Sequence, residues 1–277
     1  MKTTRIIRAF RFSRPDPRGA ALLALVAAAG APPARAESLK AQYSLSLVGF
    51  SIGSASASGV IDPQSYRVDI SMRTSGLANL VNSTKGTASA SGGISTIGPA
   101  PASYANTTTN NEETRTVRMA LAANAVRALE IKPELWDAPV RVPVSENARR
   151  NVIDPVSALI MSVPQSEPLT GPSACNRNIP VFDGVTRFDV RLSYLGSRTV
   201  KTKGYAGPVA VCSARYTPIA GHRPDSASTR YMAENRDMTV WLAPLPDAHV
   251  VAPYHIEIRT AAGMLVIDAT EFEIARR

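Results

Sequence analysis

The 277-residue sequence predicts a mainly β protein, an antiparallel meander curled into an open or half β-barrel with one central helix covering it. Three observations carry that expectation. Most patterned segments alternate apolar and polar residues with period two, as Tyr66, Val68, Ile70 and Met72 do against Arg67, Asp69, Ser71 and Arg73. Turn signals separate these segments at short intervals, among them Asp62-Pro63, Gly92-Gly93 and Ala261-Ala262-Gly263. One stretch, 154–163, departs from the pattern: Val156, Leu159, Ile160 and Val163 fall at i, i+3, i+4 and i+7, the spacing of one helix face. Asp154, Pro155 and Ser157 form its expected cap, with Asp154 accepting from free N–H groups and Pro155 at the first helical position. Pro164 ends it. The chain therefore divides into a β block at 37–145, a helix at 154–163 and a second β block at 178–277, all in one domain of residues 37–277.

Ahead of this domain, Lys2, Arg5, Arg8, Arg11, Arg14 and Arg18 precede an apolar run from Ala20 to Ala29. Ala34-Arg35-Ala36 then supplies a small-x-small cleavage site. Residues 1–36 read as a secretory signal peptide, and the run of about ten apolar residues is too short for the ~20 that a spanning helix needs. No cysteine follows the cleavage site, so the exported protein is not expected to be a lipoprotein. The formal net charge of +9 comes from 31 basic and 22 acidic residues, of which the leader holds seven and one. That leaves 24 against 21, so the basic character belongs mostly to the leader, and a nucleic-acid partner is not expected. No later apolar stretch has transmembrane length.

Tyr43, Leu45 and Leu47 open the first block as a half-buried strand, and Gly49 turns the chain into Ile52–Val60. That strand and the stretch 84–91 are built mostly from Ser, Thr, Ala and Gly, small residues that either thin a sheet where something packs closely or mark a flexible edge. Pro99 and Pro101 mark an expected loop, 76–81 an expected helical turn, and Trp136 an anchor against the sheet. In the second block, Asp183-Gly184 is the strongest hairpin signal, because glycine and aspartate accept the backbone angles of a tight turn. Gly196-Ser197 reads as a turn and 222–231 as an exposed loop. Cys175 and Cys212, the only two cysteines, predict one disulfide pinning the loop 164–180 to a strand.

Catalytic signals are sparse. His255 and Glu257 share a strand face, with His249 expected on the same face, but three such residues along one strand read as a solvated surface rather than a metal site. There is no G-x-S-x-G elbow, no S-x-x-K and no phosphate-binding glycine loop. Glu112-Glu113 and Asp268/Glu271 have no context that marks an acid pair. No enzyme activity, metal or cofactor is expected, with a hydrolase as the distant alternative. Tyr43, Leu45, Leu47, Val156, Leu159, Ile160 and Val163 are the candidate lining of an apolar cavity between helix and sheet. The expected partner is a lipid or other amphipathic ligand, or an envelope protein. The alternative is a structural envelope protein without a ligand.

The order of motifs also resembles a known family. A leader, an opening strand with Tyr43 followed by Gly49 and Gly53, Asp154-Pro155-x-Ser157, Val181-x-Asp183-Gly184, Gly204 and Trp241-Leu242 follow one another as in the DUF3108 family of exported bacterial proteins. The likeness spans nearly all of the chain after the leader and implies a periplasmic envelope protein of unknown biochemical role. The predicted architecture is also similar to half-barrel envelope proteins of the LolA and LolB type. Those cover a curved antiparallel sheet with several helices and hold acyl chains between, whereas one helix is predicted here.

Overall fold

The computed structural model describes residues 36–76, 83–95, 97–135 and 137–276. The leader through Arg35, all of the expected turn at 76–81 except Gly76, and Trp136 lie outside the described residues, while Ala36 directly precedes the first strand. The period-two segments form strands β1 (Glu37–Leu47), β2 (Phe50–Ile61), β3 (Ser65–Thr74), β4 (Lys85–Ser95), β5 (Gly98–Thr109), β6 (Thr114–Ala122) and β7 (Ala125–Lys132) in the first block. The second block contributes β9 (Arg177–Phe182), β10 (Arg187–Thr202), β11 (Tyr205–Ala220), β12 (Met238–Leu245), β13 (Val250–Thr260) and β14 (Gly263–Arg276), and between the blocks lies a two-residue strand β8 (Met161–Ser162). Two short α-helices, α1 (Pro172–Cys175) and α2 (Ala227–Glu234), and three 3-10 turns, at Ala138–Val140, Asn147–Arg149 and Ser157–Leu159, complete the described elements.

The two blocks are one sheet. Its order is β7-β6-β5-β4-β3-β2-β1-β14-β13-β12-β11-β10-β9, with β8 paired to β13 off this path. The first and last strands lie side by side at its centre, from Glu37 against Arg276 to Leu47 against Leu265. Both free edges, β7 and β9, therefore come from the middle of the sequence. No ladder joins them among the described residues, so the barrel is open there. Residues 150–153 stitch the gap instead. Arg150 bridges Ala125 of β7, and the Val152 N–H donates to Asn124 O at 2.8 Å. The Ile153 N–H donates to Pro180 O, and Ile153 O accepts from the Phe182 N–H, each at 2.9 Å. Gly184, at φ +100°, presses the β9–β10 turn against β6: a Cβ there would sit 2.4 Å from Val117 Cγ1.

The sequence reading expects these strands to thin one side of the sheet; instead they divide their side chains, alanine and glycine to one face and serine and threonine to the other. Ala55, Ala57 and Gly59 of β2, with Gly86, Ala88 and Ala90 of β4, flank Met72, Ile70 and Val68 of β3 on the inner face. Ser54, Ser56 and Ser58 line up outside with Arg73, Ser71 and Asp69, and with Lys85, Thr87 and Ser89. Large side chains on β3 between small ones on both neighbours fill a narrow, curled interior without overpacking it.

The central helix is the main correction. Only Ser157–Leu159 makes a single 3-10 turn, and Ile160 is already extended at φ −104°, ψ 110°. Met161 and Ser162 then pair with Val251 and Val250 of β13, so backbone hydrogen bonds to the sheet replace those a longer helix would have made. The apolar stripe is split accordingly: Val156 and Ile160 are buried in one core cluster, and Met161 and Val163 in another. Its spacing fits one turn followed by extended chain as well as it fits a helix.

Three smaller expectations also change. Pro99 and Pro101 lie inside β5, where β4 pairs on one side and β6 begins only at Ser103, so the missing N–H groups cost no ladder bond. Gly196 is a bulge within a sixteen-residue β10, and Gly204 makes the real turn. The expected loop 222–231 contains the start of α2, whose N-cap Ser226 accepts from the Thr229 N–H. The β1–β2 turn places Val48 at φ 50° before Gly49 at φ 81°. A β-branched residue in that left-handed region costs about 1–2 kcal/mol.

Cys175, at the end of α1, is bonded to Cys212 of β11 with Cα atoms 5.5 Å apart, and both are fully buried. The bond closes a loop of sequence separation 37, for which chain entropy gives roughly 4 kcal/mol. The double variant Cys175→Ala/Cys212→Ala is expected to lower the unfolding free energy by about that amount, read from the urea midpoint at unchanged slope. A loss below about 1 kcal/mol would show that α1 and its loop are held by packing alone.

Candidate functional site

The segment that stitches the barrel edges also enters its interior. Asp154 Oδ1 accepts from the N–H groups of Val156 and Ser157 at 3.0 and 2.9 Å, and the Ser157 hydroxyl donates to Asp154 Oδ2 at 2.5 Å. The Tyr66 hydroxyl on β3 reaches Ser157 Oγ at 2.5 Å. With the Ser157 proton committed to the carboxylate, Tyr66 is the donor in that contact. Asp154 and Ser157 have no exposed surface, and Tyr66 is 3% exposed. The cap that the sequence predicts is thus a buried polar knot fastening the segment to β3. The tyrosine is the member that local spacing does not reveal. Burial pushes the Asp154 carboxyl above its ordinary value against the opposing pull of its hydrogen bonds, and burial likewise raises the Tyr66 phenol.

Beyond the knot, Leu159 projects between two apolar compartments. The larger, of about 290 Å³, lies between the segment and the second-block sheet, lined by Pro155, Leu159, Met161, Phe188, Tyr216 and Ile256 among others. The smaller, of about 180 Å³, lies toward the first block and is lined by Leu39, Tyr43, Ala55, Ala57, Leu159 and Ile160 among others. Leu159, Pro253 and Ile256 border both. Tyr43, whose hydroxyl donates to Pro253 O at 2.8 Å, is raised in pKa by burial. The alanines on β2 leave the space that a larger side chain would fill, so the small-residue strands and the smaller compartment have one cause.

Of the seven residues that the sequence offers as cavity lining, the structure brings Tyr43, Leu159 and Ile160 together at these compartments. Val156 is packed into the core beside them, and Val163 into the second cluster. Leu45 and Leu47 are half-buried on β1 and border neither compartment. The larger compartment draws mostly on the second block. Sequence alternation shows Phe188, Val190 and Ile256 as inward-facing without showing that they leave a space.

The three histidines are dispersed. His249 sits in the turn before β13 at φ 53°, with Nε2 3.0 Å from Pro164 O, and so is not on the face of His255. His255 stacks on Trp241 with ring centroids 4.0 Å apart, and Arg198 covers the Trp241 ring at 4.3 Å. Its Nδ1 lies 2.8 Å from Asp268 Oδ1, and its Nε2 lies 3.2 Å from Glu257 Oε1. The neighbouring hydroxyl, Thr239 Oγ1, donates to Glu257 Oε2 rather than to the imidazole, so the cluster holds no activated nucleophile. Among the described residues no group of three or more His, Cys, Asp or Glu side chains is arranged to hold a metal ion. No described helix is long and apolar enough to cross a membrane.

The chain matches the model of the family described as protein of unknown function (DUF3108) over residues 42–270. No curated protein matches it. Among solved structures it is similar to a beta-barrel-like protein of domain of unknown function DUF1849 from Brucella abortus, at 9% identity and a TM-score of 0.47, over 87% of this chain and 98% of that one.

The raised carboxyl of Asp154 sets the sign of a pH effect. A folded pKa above the unfolded value of ~3.9 gives stability that is fully present below that value and is lost as pH rises through the folded pKa. Asp154→Asn keeps an oxygen for the Val156 and Ser157 N–H groups but removes the titration. Its melting temperature is therefore expected to vary less with pH above 4 than that of the parent. Equal slopes in the two proteins would mean that Asp154 titrates normally.

Proposed function

We propose, for a chain that belongs to the DUF3108 family of proteins of unknown function, a non-enzymatic role as an exported periplasmic protein that holds an apolar or amphipathic ligand inside its open barrel. The observation that carries this reading is the pair of compartments about Leu159, whose lining is almost wholly apolar side chains. A cavity of ~150 Å³ takes up benzene, so about 290 Å³ suits an acyl chain of roughly a dozen carbons. Tyr216, Thr239 and Glu257 at the larger compartment are the polar groups available to a head group.

Export accords with the leader and with a buried disulfide, which persists in an oxidising compartment. The non-enzymatic reading is supported by Asp154, Ser157 and Tyr66 satisfying one another in the knot. The second reading, an envelope protein that docks a partner and holds no ligand, is the outcome left if the compartments remain dry and empty in solution.

Dodecanoate is the probe for this reading. It is expected to raise the melting temperature of the purified protein and to remain bound as a one-to-one adduct in native mass spectrometry. Ala214→Trp places an indole in the larger compartment from β11 and is expected to abolish both effects while the protein stays folded. Absence of any shift or adduct with the parent protein would overturn the ligand reading and leave the partner-docking one.

A further inference from the structure

The end of the barrel that carries the β1–β2 turn presents large apolar side chains to solvent. Phe50 is 69% exposed and Val48 58% exposed, on either side of Gly49 in one turn. Val48 takes the left-handed position that asparagine fills most readily in such turns, so the sequence retains an exposed valine there against its backbone preference. The turn is also held firmly. The Val48 N–H donates to Met264 O at 2.9 Å, and Gly263 of the neighbouring hairpin leaves room for the Val48 side chain, which a Cβ would meet at 2.3 Å.

Leu47 pairs with Phe50 on one side and Leu265 on the other, and all three lie at this rim. Leu47 and Leu265 are only half-buried, so the apolar surface continues from the turn onto the open end of the sheet. On the outer face of the same end, Arg73 lies directly opposite Lys85 in the β3–β4 ladder. Both are exposed, and like charges in direct register oppose one another. Neither takes part in any of the ion pairs among the described residues. Ser54, at the β2 position beside Arg73, is four residues from Phe50, so the cations stand on the order of 13 Å behind the tip.

We infer that this end docks on an anionic phospholipid surface, with Val48 and Phe50 entering the interface and Arg73 and Lys85 meeting the head-group phosphates. Interfacial elements bury their apolar faces ~5–10 Å deep, which brings cations at that distance behind the tip to head-group level. The inference stands apart from the interior ligand: its failure would leave a dodecanoate shift untouched, and the reverse holds too.

Vesicle co-sedimentation tests it, using phosphatidylcholine vesicles with and without an equal part of phosphatidylglycerol. The purified protein is expected to bind the anionic vesicles, less so as salt rises, and to leave the neutral ones largely in the supernatant. Val48→Asn/Phe50→Ser is expected to weaken binding at least roughly tenfold without lowering the melting temperature, since Asn-Gly suits the turn better than Val-Gly. Arg73→Gln/Lys85→Gln is expected to weaken it by roughly tenfold or more at low salt. Equal binding to both vesicle types, or a tip variant that binds like the parent, would overturn the proposal. So would a parent dimer that the tip variant abolishes, which would make the tip a self-association surface.

Discussion

Three buried polar groups hold the segment on which the interior depends. Tyr66 donates to Ser157, Ser157 donates to Asp154, and Asp154 accepts from two backbone N–H groups. An unpaired carboxylate at that depth would cost far more than any one of these bonds returns, so the three act as a unit. Because the knot lies on β3, it anchors residues 154–160 to the first block, while the β8–β13 pairing anchors 161–162 to the second. The edge bridges at 150–153 lie only a few residues upstream. One short stretch thus bridges the open edges, fastens both halves and divides the interior.

Most of the sheet was legible in the chain because alternation with period two reports burial directly. Tyr66, Val68 and Ile70, and the Asp183-Gly184 turn, behave as their pattern implies, while Met72 at the end of β3 is exposed, and Asp183 accepts from the Val185 and Thr186 N–H groups as a turn aspartate should. What failed was local reading where tertiary pairing decides. Ile160 to Val163 is short and apolar, and such a run is equally compatible with helix and strand until a partner strand is known. The prolines of β5 looked like loop because nothing local says which side of a strand stays unpaired.

The candidate site was partly legible for the same reason. Tyr43, Leu159 and Ile160 were visible as inward-facing residues, yet a cavity is a deficit of volume among elements distant in sequence. The deficit here arises where Ala55 and Ala57 face Leu159 and Ile160 across the barrel. Ser-Ala alternation in β2 carried that signal, but it read as close packing where the structure has space. The link from Tyr66 to Ser157 joins residues 91 apart, beyond the reach of any motif.

The pairing of β1 with β14 sets an order in time as well as in space. β1 finds its second neighbour only when β14, at the far end of the sheet-forming sequence, has been made. Until then β1 offers an unsatisfied backbone edge, the surface by which nascent chains join wrong partners. Contacts between chain ends raise the mean sequence separation of the fold and slow its formation. Completion of the sheet therefore waits on β14, and removal of that strand takes away the centre of the sheet rather than its margin.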